Sequence, residues 1–144
     1  MNVNFVKLSK TAKTPSKGST DSAGYDLYAD VNDRVIILPH TTLKINTNIA
    51  VEIPNGCFGG IYARSGIATK RGLRPANCVG VIDSDYRGNI VVAVHNDSNE
   101  SQIIEPDERI AQLIIQPYLN VDLKEVSSLS NTERGYGGFG STGK

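Results

Sequence analysis

Apolar residues recur along this chain with a period of two, in short runs that 14 glycines and 6 prolines cut apart. The clearest run covers residues 43–53. Leu43, Ile45, Thr47, Ile49, Val51 and Ile53 share one parity, and Lys44, Asn46, Asn48 and Glu52 the other. Successive side chains of an extended chain point to opposite faces, so this run predicts a strand with a core face and a mostly wet face. Runs rich in Val, Ile, Thr and Tyr predict further strands at residues 3–8, 25–29, 34–38, 58–64, 77–82, 89–96 and 102–105. Residues 109–116 place Ile110, Leu113 and Ile114 at helical spacing, but their β-branched content and short length fit a buried strand, and we read them as one. Residues 65–73, with Ala68, Lys70 and Arg71 between two strand patterns, are the one candidate helix. Many short strands with turn signals between them predict an all-β fold, a distorted β-barrel or jelly roll of mainly antiparallel strands with one short helix.

Beyond Leu129 the composition shifts to Ser, Asn, Thr and Gly, with Tyr136 and Phe139 as the large apolar groups. Such a segment has too little apolar surface to fold alone. The expected organisation is one β domain over residues 1–129 and a flexible glycine-rich arm over 130–144. A chain of 144 residues suits a single core.

Charge narrows the partners. Lys plus Arg and Asp plus Glu number 15 each, so no bulk positive field is present to hold a nucleic-acid polymer, although a local anion pocket remains open. The first ten residues lack the apolar stretch of a secretory signal, and no apolar run reaches the ~20 residues of a membrane helix. Cys57 and Cys78 are therefore expected as free thiols in a cytoplasmic protein. His40 and His95 belong to no motif and suit surface or packing roles.

Three segments carry candidate chemistry. In the stretch from Arg134 to Lys144, glycines surround Phe139, Ser141 and Thr142. Glycine lets backbone N–H groups curve into an oxyanion-binding nest, hydroxyls add donors, and Arg134 supplies a planar fork for phosphate. No Gly-Lys-Ser/Thr step leads into a helix, so this is not a Walker A loop. The segment from Gly80 to Asn89 reads as a hairpin whose tip presents Asp83, Asp85, Tyr86 and Arg87. Arg64-Ser65-Gly66 puts a guanidinium and a hydroxyl at the start of the candidate helix.

Together these segments resemble the trimeric dUTP pyrophosphatase family over essentially the whole chain. Its five motifs occur in order: Ala23-Gly24-Tyr25-Asp26-Leu27, Arg64-Ser65-Gly66, Gly80 to Gly88, Asp107-Glu108-Arg109-Ile110-Ala111-Gln112-Leu113, and the arm from Arg134 to Gly143. One departure lies in the fourth, where the family usually has glycine before the acid-arginine pair and this chain has Asp107.

The resemblance implies hydrolysis of dUTP to dUMP and pyrophosphate, which keeps dUTP out of DNA and supplies dUMP for thymidylate synthesis. It implies that Asp83 activates the attacking water and bonds the 3′-hydroxyl, and that Tyr86 lies against the deoxyribose and excludes a 2′-hydroxyl. Asn77 and the backbone at Val81 and Ile82 would read uracil, with Val91 on the returning strand. Arg64, Ser65, Gly66 and Gln112 would hold the α- and β-phosphates. Arg134, Gly140, Ser141 and Thr142 would close on the γ-phosphate, and Phe139 would stack on the base. Mg2+ is expected on the phosphates, touched by Asp26 through water. A homotrimer with shared sites is implied. The alternatives on the same scaffold are a dCTP deaminase and a non-catalytic nucleotide sensor.

Overall fold

The computed structural model describes residues 2–141. Eleven strands and one helix follow in the order β1 (Phe5–Lys7), β2 (Tyr25–Tyr28), β3 (Val35–Ile37), β4 (Thr42–Asn46), β5 (Ile49–Val51), β6 (Cys57–Tyr62), α1 (Ser65–Arg71), β7 (Leu73–Pro75), β8 (Gly80–Ile82), β9 (Val91–Asn96), β10 (Gln102–Ile104) and β11 (Arg109–Pro117). Every ladder is antiparallel. The strands form four small sheets, ordered β2-β11-β6-β8, β4-β9-β7, β1-β5 and β10-β3. The all-β class with one short helix is as expected, although no closed barrel ladder links the sheets among the described residues.

The period-two run at residues 43–53 behaves as its pattern requires, with Ile45, Thr47, Ile49, Val51 and Ile53 buried and Lys44 and Glu52 exposed. It is nevertheless two strands. Asn48 adopts φ 49°, and Thr47 turns its hydroxyl inward to donate to the Ile90 carbonyl at 2.7 Å. That break lets β4 pair with β9 and β5 with β1. The core gathers Leu27, Ile37, Ile45, Ile49, Leu73, Val92, Ile104 and Ile110 from all four sheets, the connections add Ile53 and Ile90, and α1 adds Ile67. Residues 109–116 are strand, the central member of the largest sheet, as read from their β-branched content.

Three further expectations need correction, the first being the strand expected at residues 77–82, which begins only at Gly80 because residues 76–79 turn with Cys78 at φ 64°. The candidate helix ends at Arg71 rather than Leu73, because Gly72 takes the left-handed C-cap conformation (φ 66°) and Leu73 opens an unforeseen strand. Pro75 is tolerated there because β7 is an edge strand. The segment read as a hairpin does not pair its own arms. β8 bonds to β6 and β9 bonds to β4 and β7, so residues 83–90 cross from one sheet to another. Both flanking runs pair with other strands, and a polar turn between two strands does not by itself dictate which strands pair.

No helix among the described residues is long and apolar enough to cross a membrane. Cys57 and Cys78 are free thiols.

Candidate active site

At one end of the largest sheet, β11 lies between β2 and β6, with Gln112 opposite Asp26 on one side and Tyr62 on the other. The Gln112 amide donates to the Ala63 carbonyl at 2.9 Å, immediately before Arg64. A Cβ on Gly24 would collide with the Gln112 side chain, so glycine there makes room for it. Arg64 Nε donates to Asp26 Oδ1 at 2.7 Å, and Arg109 Nη1 to Asp26 Oδ2 at 3.2 Å. The Asp26 side chain is only 13% exposed, and its two charge-assisted bonds replace the water it gives up. Ser65 and Gly66 follow Arg64 at the exposed start of α1, which no side chain caps, and nothing lies within 4 Å of a Cβ placed on Gly66.

A second group sits on the crossing from β8 to β9. Asp83 is exposed, and its carboxylate has no hydrogen-bond partner among the described residues, while its carbonyl accepts the Tyr86 N–H at 3.1 Å to close a turn. The Tyr86 hydroxyl donates to the Asn89 carbonyl at 3.0 Å. Its ring rests on Gly88, where a Cβ would fall 2.6 Å from Cζ, so a larger residue there would displace the ring. Arg87 fixes the tip by donating to the Ser84 carbonyl at 2.6 Å and the Tyr86 carbonyl at 3.1 Å. The Asn77 amide lies over Gly80, 3.2 Å from where a Cβ would stand. Val81 and Val91 face outward, and Ile82 is half-buried.

The two groups do not meet within one chain. β6 pairs Ile61 with Gly80 and Gly59 with Ile82, so Asp83 continues past the Phe58 end of β6 while Arg64 leaves from the other. The six residues of β6, extended at ~3.3 Å each, separate those ends by roughly 20 Å. The described part of the arm joins neither group. After Tyr118, whose N–H donates to the Gly56 carbonyl at 3.0 Å, residues 119–136 are exposed. The arm curls locally: Gly135 N–H donates to Thr132 O, Gly137 N–H to Arg134 O and Ser141 N–H to Gly138 O, with positive φ at Gly135, Phe139 and Gly140. Arg134 Nε is turned back on the Gly137 carbonyl at 2.9 Å, and Phe139 is fully exposed. Thr142 lies outside the described residues.

The dUTPase family model matches residues 10–143. The chain belongs to the dUTPase family. It is 45% identical over 140 residues to a rat deoxyuridine 5′-triphosphate nucleotidohydrolase, covering 97% of this chain and 66% of that protein. It is also 45% identical over 137 residues to its Hydrogenobaculum counterpart, covering 95% and 94%. Among solved structures, the Staphylococcus bacteriophage 80alpha dUTPase with dUpNHpp superposes with TM-score 0.89 at 32% identity over 99% of both chains. An aspartate-to-asparagine mutant of the phage phi11 dUTPase, whose structure concerns a structural Mg(II) ion, gives 0.79 at 26% identity over 89% of this chain and 98% of that one.

Arg109 is the site residue that sequence reasoning missed in this dUTPase. It stands three positions before Gln112, which in a regular strand puts the two on opposite faces. The ladder slips between Arg109 and Ala111, and that irregularity turns Arg109 onto the face of Asp26. The motif quoted above contained the residue but gave no sign of the slip. The departure at Asp107 is also explained. Glu108 N–H donates to the Glu105 carbonyl at 3.2 Å, Pro106 takes the second position of the turn, and Asp107 the third with φ 61°. That position favours glycine, and Asp is among the few other residues that tolerate it.

The donor set bears on magnesium. Asp26 already gives one oxygen to each of two arginines, and no group of three or more His, Cys, Asp or Glu side chains that could hold a metal ion occurs among the described residues. These residues fit an ion that arrives on the phosphates of a ligand, and they do not fit a protein-built metal cage.

Proposed function

We propose that this dUTPase hydrolyses dUTP to dUMP and pyrophosphate by water attack on the α-phosphorus, in a homotrimer whose sites are shared between chains. Asp83 is the general base and also accepts from the 3′-hydroxyl. An unengaged carboxylate on a turn held by its own backbone is suited to take a proton from water. Tyr86, locked over Gly88, presents a fixed surface to the sugar where a 2′-hydroxyl has no room. Asn77 with the backbone at Val81 and Ile82 reads the uracil edge beside Val91, and a wrong base there leaves buried polar groups unpaired.

Arg64, Ser65, Gly66 and Gln112 hold the α- and β-phosphates, while Arg134, Gly140, Ser141 and Thr142 close on the γ-phosphate and Phe139 on the base. Asp26 keeps Arg64 and Arg109 in place, and it reaches an ion only through water. Magnesium carried on the triphosphate would supply charge neutralisation. Residues 1–129 act as the body and 130–144 as the closing arm. Two free thiols suit a reducing cytoplasm.

The observation that carries the shared site is the separation of Asp83 from Arg64 by the length of β6. A neighbour's Asp83 facing this chain's Arg64 completes a site, and three-fold symmetry repeats it three times. The test is a panel of deoxynucleoside and nucleoside triphosphates with magnesium, reading pyrophosphate and ammonia. Pyrophosphate from dUTP alone is the expected result. Ammonia from dCTP would point to a deaminase, and binding with no product would point to a sensor.

A further inference from the structure

We propose that Arg71 and Glu108 are positioning residues for phosphate binding, their ion pair fixing the far end of α1 so that Ser65 and Gly66 keep one geometry. The inference rests on the phosphate role given above to the start of that helix. Arg71 is the last residue of α1. Its Nη1 pairs with the Glu108 carboxylate, its Nη2 donates to the Ile103 carbonyl, and its Nε donates to Gln102 Oε1 at 3.2 Å. All three guanidinium nitrogens are thereby engaged across β10 and the turn that follows it. The other oxygen of Glu108 accepts the Glu105 N–H at 3.0 Å, and the Glu108 carbonyl accepts the Ala29 N–H at 2.8 Å, so Glu108 is held on a fixed frame.

Neighbouring residues thus grip both ends of one short helix. Arg109 meets Arg64 at its start through Asp26, and Glu108 meets Arg71 at its end. A helix of seven residues has little stability alone, so its orientation depends on such ties. Ile67 is the one buried side chain of α1, so little apolar burial holds its orientation. The partly sheltered pair, with side chains 29% and 22% exposed, adds a polar tie at its C-terminal end. Neither residue needs to touch a phosphate for this.

The test compares ligands with and without phosphates. Arg71→Ala and the near-isosteric Glu108→Gln are each expected to raise KM for dUTP by about tenfold, with kcat changed less than about threefold, the pattern of a lost ground-state binding contribution. Inhibition by deoxyuridine, which carries no phosphate, should stay near wild type. The charge swap Arg71→Glu with Glu108→Arg should recover part of the KM. A brace that only supports the fold predicts something else: a lower melting temperature, with KM for the folded fraction unchanged or with deoxyuridine weakened as much as dUTP. Either result overturns the proposal. Glu108→Gln keeps the test open should Arg71→Ala fold poorly. A wild-type protein that does not turn over dUTP overturns the dUTPase reading and this one together, whereas wild-type turnover with an unaltered variant KM overturns this one alone.

Discussion

At the Arg64 end of β6, Asp26, Arg64 and Arg109 hold one another, and Gln112 is tied to the backbone beside them. At the Asp83 end the backbone is just as firmly placed, but the Asp83 carboxylate is left to water. The first region is built before any ligand arrives: one carboxylate holds two guanidiniums, which leaves a net positive charge, and Arg64 retains donors for a phosphate. The second is finished only in its main chain. A half-buried carboxylate bonded on both oxygens is not free to take a proton, whereas an exposed, unpaired one is, so the contrast supports the anchoring proposed for Asp26 and the chemistry proposed for Asp83.

The sharpest way to break that contrast is to neutralise both acids. Asp83→Asn should lower kcat by roughly 10²–10⁴-fold while dUTP still binds. Near-normal turnover would remove Asp83 as the base. With the two regions acting across chains as proposed, mixing should restore what mutation removes. Asp83→Asn chains and chains cut after Thr132, each nearly inactive, are unfolded together and refolded. Activity is expected to return in mixed trimers, and verified mixed trimers as silent as their parents would end the shared-site model.

Asp26→Ala should do something different, because it strands two guanidiniums on a partly buried face. A loss of about 1–3 kcal/mol in folding stability is expected, together with a higher KM. Urea unfolding measures the first and steady-state kinetics the second. If Asp26→Ala leaves stability unchanged and lowers only kcat, the two acids have the same kind of role and the contrast falls.

Much of this is legible from pattern alone. Burial follows parity from Ile45 to Ile53 except at Ala50, and the strand at residues 109–116 is readable from its Ile content. What pattern cannot give are the events that depend on partners far along the chain. Asn48 divides a continuous alternation because β4 and β5 join different sheets, and β8 and β9 ignore each other for the same reason. Local alternation encodes which face is apolar, and it carries no label for the strand on either side. The family motifs supplied Asp83, Tyr86 and Arg64. The slip that aims Arg109 at Asp26 is a single irregularity with no compositional mark.

The Asp107 turn sharpens the comparison further, since it delivers Glu108 and Arg109 to the braced end. Asp107→Gly should be nearly neutral, relief of the left-handed backbone offsetting the lost exposed pair with Lys13 at 3.1 Å. Asp107→Ala loses the pair and keeps the strain, and should fall below the glycine variant by about 1 kcal/mol. Equal stabilities for Gly and Ala would mean that this φ carries no cost.

The smallest effect is expected at a charged brace beside Asn77, the residue proposed to read the base. Arg74 grips Asp97 with two bonds of 2.6 and 3.0 Å and also reaches the carbonyls of Pro75 and Ala76, where the chain leads from β7 to Asn77. The Arg74 bond holds the Asp97 carboxyl below its ordinary value of 3.8, with His95 and His40 adding smaller attraction. A carboxyl depressed in the folded state is protonated more readily when unfolded. Its contribution is therefore present above about pH 4 and disappears as pH falls through the depressed value. Asp97→Asn should unfold at slightly lower urea than the wild type at pH 7, and the two midpoints should converge towards pH 3. A gap that stays constant across that range would show that the pair contributes through shape and not through charge, and would leave the loop that carries Asn77 without an electrostatic brace.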